Sequence, residues 1–166
     1  MISHEPILWN DDYLTGISRI DEQHKVLVNT LNEANARLAV NVTRELLEQI
    51  TRDLLSYALY HFETEEALMR EYDYFGQSAA DAEEHRQEHR GFSQKVVALR
   101  EGLRDDRLVS REYLLSFLNN WLIHHILHTD KQFGEFLQGH GYGAEPKTEK
   151  TDKSQESHKS LDSSPF

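Results

Sequence analysis

Apolar residues recur every three to four positions through most of this chain, and the recurrence divides it into four stretches. In the first, opening near Ser18 to Asp21, His24, Leu27, Leu31, Ala34 and Leu38 fall on one helical stripe. A second starts after Asn41 or Thr43, either of which has a side-chain oxygen able to cap a helix. It sets Leu47, Ile50, Leu54, Tyr57, His61, Glu65 and Leu68 on its inner face. A connection of aromatic and small residues follows through Tyr72, Tyr74, Phe75 and Gly76. The third stretch opens around Ser78 or Asp81 and aligns His85, His89, Phe92, Val96, Leu99 and Leu103. Ser110 is placed to cap a fourth, which turns Leu114, Leu118, Trp121 and His125 inward and runs to about Gln138. Gly139, Gly141 and Gly143 then end it.

Four long amphipathic helices with short connections predict an all-α fold, an antiparallel up-down-up-down four-helix bundle. Residues 1–17, with Trp9, Tyr13 and Gly16, lack the helical period and are expected to form an N-terminal arm packing on the bundle. Residues 18–143 form the helical domain. From Ala144 onward the composition turns to Lys, Glu, Thr and Ser, so 144–166 is expected to be a disordered polar tail, too poor in apolar surface to offset its ordering entropy. The three prolines, Pro6, Pro146 and Pro165, lie near the ends, leaving the central stretch free of helix breakers.

Composition narrows the chemistry. With no cysteine, disulfides, zinc–thiolate sites and cysteinyl iron–sulfur clusters are excluded, so any metal is held by imidazole and carboxylate. A formal net charge of −11 argues against nucleic acid and against anionic lipid as partners. No apolar run approaches bilayer length, and Met1 to Asn10 does not read as a signal peptide, so a cytoplasmic location is expected. No second apolar face is evident, which makes a monomer the expected state.

The stripes carry polar groups where a core is expected. His61 and Glu65, four apart on the second stretch, both continue an apolar stripe. A lone inward histidine is usually a hydrogen-bonded core residue, but an unpaired buried carboxylate beside it is strongly disfavoured. His85 and His89 repeat the spacing. Glu83, Glu84, Arg86, Gln87 and Glu88 surround them, yet Phe92 and Val96 carry the same stripe onward into the core. His24 lies in a polar first turn, where a surface position is the simpler reading. On the fourth stretch, spacing leaves the choice open among His124, His125 and His128. Five residues separate His125 from Asp130, a step of roughly 140° around an ideal helix. Either the helix is widened there, as at a π-bulge, or another histidine faces inward.

Taken together, several motifs resemble the hemerythrin family, specifically its single-domain bacterial members. They are Trp9 with Gly16-Ile17 and Ile20-Asp21-Glu22-Gln23-His24, and His61-Phe62-Glu63-Thr64-Glu65-Glu66 with Met69. His85-Arg86-Gln87-Glu88-His89 and Trp121-Leu122-Ile123-His124-His125-Ile126 through Asp130-Lys131 complete the set. The resemblance covers roughly residues 9–139. It implies a metal set of His24, His61, Glu65, His85, His89, His125 and Asp130, with His124 and His128 outside it. One iron would take His85, His89 and His125, and the other His24 and His61. Glu65, Asp130 and an oxo or hydroxo group would bridge the two. Five positions from histidine, four from two bridging carboxylates and two from the bridging oxygen leave one of twelve octahedral positions open. The family's activity, reversible dioxygen binding, would use that position. Leu27, Phe62, Trp121 and Leu122 match positions expected to line an apolar oxygen pocket. The chain departs from the family pattern in its second connection, where Tyr74 is followed by Phe75 rather than proline and the segment from Glu65 to His85 is longer.

These expectations describe an oxygen carrier, a store, a supplier to an oxygen-using enzyme, or a sensor with a signalling partner. A general acid or nucleophile for a larger substrate is not evident, so the chain is not expected to be an enzyme. The competing readings are a regulatory module answering to iron or oxygen, and a di-iron oxidase or peroxidase. Ferritin-like oxidases use Glu-x-x-His pairs, and no histidine here has a glutamate three residues before it. A zinc-stabilised bundle is a further alternative, but five histidines and two carboxylates exceed one tetrahedral site.

Overall fold

The structure, a computed structural model, describes residues 6–105 and 111–142. Helix α1 (Ser18–Val40) is followed by α2 (Arg44–Glu71), a short α3 (Tyr74–Gln77) and α4 (Ala79–Arg104). The last member of the bundle is α5 (Arg111–His124), a π-helical turn (His125–Asp130) and α6 (Lys131–Gly139), continuous in sequence. Helix α2 packs on both α1 and α4, and α1 packs on α5, which closes a four-membered bundle. The described residues contain no strand. None of their helices is long and apolar enough to cross a membrane.

Thr43 caps α2 as its sequence position suggests, its Oγ1 accepting from Leu46 N–H at 3.1 Å. Ser78 stands at the N-cap of α4, but its hydroxyl makes no capping bond. The chain arrives there from α3, which the aromatic connection did not predict. Asp73 opens α3 in the left-handed region at φ 57, and the Gly76 N–H returns to the Asp73 carbonyl at 3.2 Å. A Cβ at Gly76 would stand 2.5 Å from the Asp73 carboxylate, so a larger residue here would have to turn that side chain aside. Tyr74 then buries its ring against Phe133 and Phe136. The longer connection is therefore a packed plug at this end of the bundle. Ser110 and residues 144–166 lie outside the described residues, as does Gly143.

Within residues 6–17 there is one turn of 3-10 helix, Asp11–Tyr13. Ile7 is buried, and its backbone is held at both N–H and carbonyl by the Asn32 side chain of α1, at 2.8 and 2.9 Å. Trp9 and Tyr13 stack on each other and pack against the core. The stripe residues read from the sequence are buried, with Tyr57, Leu99 and Trp121 only partly so. The apolar interior falls into two clusters. One, around Leu31, Leu47 and Val96, fills the length of the bundle; the other, around Ile20, Tyr74 and Phe133, closes one end. Residues 24, 61, 65, 85, 89, 125 and 130 are the buried polar set between these two bodies.

Candidate metal centre

Helices α2 and α4 each deliver a polar pair by simple periodicity. His61 and Glu65 are one turn apart on α2, and His85 and His89 one turn apart on α4. The last helix solves its five-residue step by widening. The backbone is π-helical from His125 to Asp130, about one extra residue per turn, so both side chains return to the same face. The first of the two alternatives open in the sequence is the one adopted. His124 and His128 are exposed, their rings tilted against one another with centroids 4.6 Å apart. His24, for which the first turn of α1 suggested a surface position, has no exposed surface.

All seven residues of the expected metal set converge. Their ligand atoms form two overlapping groups, one of Glu65, His85, His89, His125 and Asp130, the other of His24, His61, Glu65 and Asp130. Both carboxylates belong to both groups, and each divides its oxygens between them. Glu65 Oε1 lies 3.2 Å from His85 Nε2 and 3.0 Å from His89 Nε2, while Oε2 lies 3.3 Å from His61 Nε2 and 3.8 Å from His24 Nε2. Asp130 Oδ1 lies 3.0 Å from His85 Nε2 and 3.1 Å from His125 Nε2, while Oδ2 lies 2.7 Å from His24 Nε2.

These contacts are short, yet many are not hydrogen bonds. The Nε2 atoms of His24, His61 and His125, Oε2 of Glu65 and both oxygens of Asp130 are buried without a hydrogen-bond partner among the described residues. Lone pairs aimed at a common point, sealed from water, would cost several kcal/mol if nothing positive lay between them. The donor set of imidazole nitrogen and carboxylate oxygen suits two divalent first-row metals, so the residues fit a dinuclear centre.

Protonation tells the same story from the other side. Burial pushes both carboxyls up, and Asp130 pushes Glu65 the same way, but the histidines prevail. His61 and His85 hold Glu65, and His125 and His24 hold Asp130, well below the usual carboxylate range. Burial alone would lower His125, but Asp130, Glu88 and Glu65 push it up to about 10, and Asp130 and Glu65 raise His85 likewise. Without a cation, then, protons on imidazole balance the two carboxylates; a bound metal takes the place of those protons.

Three residues behind the histidines were not singled out as functional in the sequence. Gln23 meets His61 Nδ1 at 2.7 Å, Glu66 meets His89 Nδ1 at 2.8 Å, and Glu88 meets His125 Nδ1 at 2.7 Å. Each is the chain neighbour of an inward member of the candidate set but serves a histidine on another helix. A one-residue step rotates a side chain by about 100°, from the centre toward the adjacent helix, and that adjacency was the available signal. With Nδ1 so engaged, Nε2 is the atom left free to take a metal.

Leu27, Phe62, Trp121 and Leu122 all line one small apolar cavity of about 20 Å³, together with Leu31, Leu54, Ala58, Phe92 and Leu118. A volume near that of one water, without a polar wall, stays dry. Phe62 stacks on His89 with centroids 3.9 Å apart, and Trp121 on His125 at 4.4 Å, so two cavity walls lie directly against the histidines.

A family profile described as Hemerythrin HHE cation binding domain matches residues 15–137. The chain belongs to the hemerythrin family. It is 28% identical over 134 residues to a bacteriohemerythrin of Stenotrophomonas maltophilia, covering 81% of this chain and 83% of that one. A bacteriohemerythrin of Pseudomonas paraeruginosa is 33% identical over 127 residues, covering 75% and 76%. Among solved structures, a wild-type hemerythrin superposes with a TM-score of 0.71 at 23% identity, over 84% of this chain and 100% of that one, which shows the shared fold. Hemerythrin-family membership implies a non-haem di-iron centre and, in general, dioxygen binding.

Proposed function

We propose that this hemerythrin-family chain binds dioxygen reversibly at a di-iron centre, as a carrier, store, local supplier or sensor of oxygen rather than as an enzyme. The observation that carries the reading is the division of the Glu65 and Asp130 oxygens between two histidine groups, beside a dry apolar cavity. His85, His89 and His125 hold one iron and His24 and His61 the other. Glu65 and Asp130 would bridge them, with an oxo or hydroxo group completing the bridge. Two imidazoles against three would leave the open position on the iron of His24 and His61.

The bound irons supply the electrons that make dioxygen binding favourable and reversible. The chain's own residues do the rest. Glu65 and Asp130 fix the separation of the two positions from opposite helices. Gln23, Glu66 and Glu88 set the tautomer and ring plane of their histidines, presenting Nε2 inward. Leu27, Phe62, Trp121 and Leu122 exclude water and stray protons, which slows irreversible oxidation. No signalling partner or recipient enzyme is needed for the binding step itself.

The test is iron content, then anaerobic reduction and visible absorption as oxygen is added and withdrawn. Two irons per chain and a charge-transfer band that rises with oxygen and fades on its removal support the reading. Two irons that oxidise once without reversal would make the chain an oxidase or redox sensor, and a single zinc would overturn the di-iron assignment.

A further inference from the structure

The groups that brace the histidines from behind differ in charge, and the difference follows the division of the centre. His61 Nδ1–H donates to a neutral amide oxygen, Gln23 Oε1, at 2.7 Å. Gln23 cannot turn the other way, because its Nε2 donates to Thr64 Oγ1 at 3.2 Å and Thr64 in turn donates to the Tyr60 carbonyl at 3.3 Å. His89 and His125 donate instead to carboxylates, Glu66 Oε2 at 2.8 Å and Glu88 Oε1 at 2.7 Å. Thr129 Oγ1 donates to the same Glu88 oxygen at 2.8 Å, fixing it in place. So the group of His85, His89 and His125 leans on two anions, and the group of His24 and His61 on none.

A carboxylate behind an imidazole makes its Nε2 a stronger donor, and the anion itself favours higher charge on the metal in front. We propose that Glu66 and Glu88 are positioning residues that give the three-histidine metal position the tighter affinity and the lower reduction potential, while Gln23 adds no charge behind the two-histidine position. The inference rests on the dinuclear metal reading above. In iron-loaded protein, the first electron taken by an outer-sphere oxidant such as ferricyanide would come from the three-histidine position, with no bond formed or broken. Glu66 and Glu88 are only partly buried, each lining a surface cleft, so replacing either with glutamine keeps the shape and an acceptor while removing the charge.

Two measurements on the full chain test this. Cobalt(II) titrated into metal-free protein should fill two sites of unequal affinity. Glu66→Gln or Glu88→Gln should weaken the tighter one by roughly 10–100-fold, and Gln23→Glu should strengthen the weaker one. In the iron-loaded protein, mediated spectroelectrochemistry should show two one-electron steps. The glutamine variants should raise the lower potential and Gln23→Glu should lower the upper one, both narrowing the gap. A merely structural role would not produce shifts of opposite sign. Two cobalt ions bound by wild type, with affinities and potentials unmoved in the glutamine variants, would overturn the inference and leave the dinuclear reading standing. Fewer than two cobalt ions in wild type would overturn that reading and this inference with it.

Discussion

His24 Nε2 stands 2.7 Å from Asp130 Oδ2, both side chains are sealed from solvent, and neither atom has a hydrogen-bond partner among the described residues. The two residues open and close the set, one on α1 and the other at the end of the π-helical turn. So close a pair in a low-dielectric interior is unfavourable unless a cation or a proton lies between. The remaining contacts repeat the pattern, with Glu65 in the opposite seat. The centre is therefore a set of mutual obligations, in which each carboxylate answers to histidines on three helices.

Removing one carboxylate should break both halves at once. Glu65→Ala and Asp130→Ala are each expected to bring bound metal well below two per chain. Leaving buried partners uncompensated should also cost about 3–5 kcal/mol of stability in the loaded protein. Metal analysis and calorimetry measure the two effects. Full loading in both variants would remove these residues from the ligand set.

The depressed carboxylates and raised histidines also fix the pH response of the metal-free chain. Glu65 and Asp130 are held low, so their contribution is present above the unfolded carboxyl range, about pH 4, and is lost as pH falls through their folded values. His85 and His125 are held high. Their contribution is complete below about pH 6.5 and is lost as pH rises, through about 10 for His125. Metal-free protein should be most stable between roughly pH 4.5 and 6.5. Because a cation replaces the imidazole protons, metal affinity should instead increase with pH over the neutral range. Urea midpoints against pH, with and without chelator, separate the two. Coincident curves would mean that protons and metal do not compete at these histidines.

Much of this was legible before the fold, because helical period and buried polarity are both written in single residues. Glu65 and His89 declare themselves by continuing apolar stripes. His125 and Asp130 did not, since an ideal helix separates them; the π-helical turn is a backbone adjustment that residue spacing poses as a question and only the folded chain answers. His24 was opaque for another reason. Its burial comes from what packs over the first turn of α1, not from its own neighbours. Gln23, Glu66 and Glu88 look like solvated positions beside the ligands, and their partners lie on other helices. The short α3 was hidden because a left-handed Asp73 and a plug built on Tyr74 leave no periodic signal.

The cavity predicts a separation of metal binding from oxidation. Leu27→Tyr and Leu122→Tyr each place a ring and a hydroxyl into a space of about 20 Å³ and change none of the seven residues of the candidate metal set. Both variants should retain the wild-type metal content. Their rate of irreversible oxidation after oxygenation should change by an easily measured factor, since a polar group in the dry pocket admits or orders protons. Stopped-flow and long-term absorbance readings check this. Kinetics identical to wild type would disconnect the cavity from the centre.

Two glycines should respond to the same substitution with opposite signs. A Cβ at Gly134, on α6, would stand 2.6 Å from the Thr15 carbonyl oxygen, a backbone atom. Thr15 cannot withdraw, because its N–H and hydroxyl each donate to Asp21 Oδ1 at 2.8 Å, and the N–H of Gly16, itself at φ +90, donates to Asp21 Oδ2 at 3.2 Å. Gly134→Ala must therefore push α6 off this loop, at about 1–3 kcal/mol. Since α6 begins directly after Asp130, weakened metal retention should accompany the loss. Gly91 is exposed within α4, and a Cβ there would meet nothing within 4 Å. Gly91→Ala should stabilise the chain by about 0.5–1 kcal/mol, because only the unfolded state and the helix preference change. Denaturant midpoints of the two variants settle the matter. A neutral Gly134→Ala would mean that the contact between α6 and the Thr15 loop does not fix the position of the last ligand.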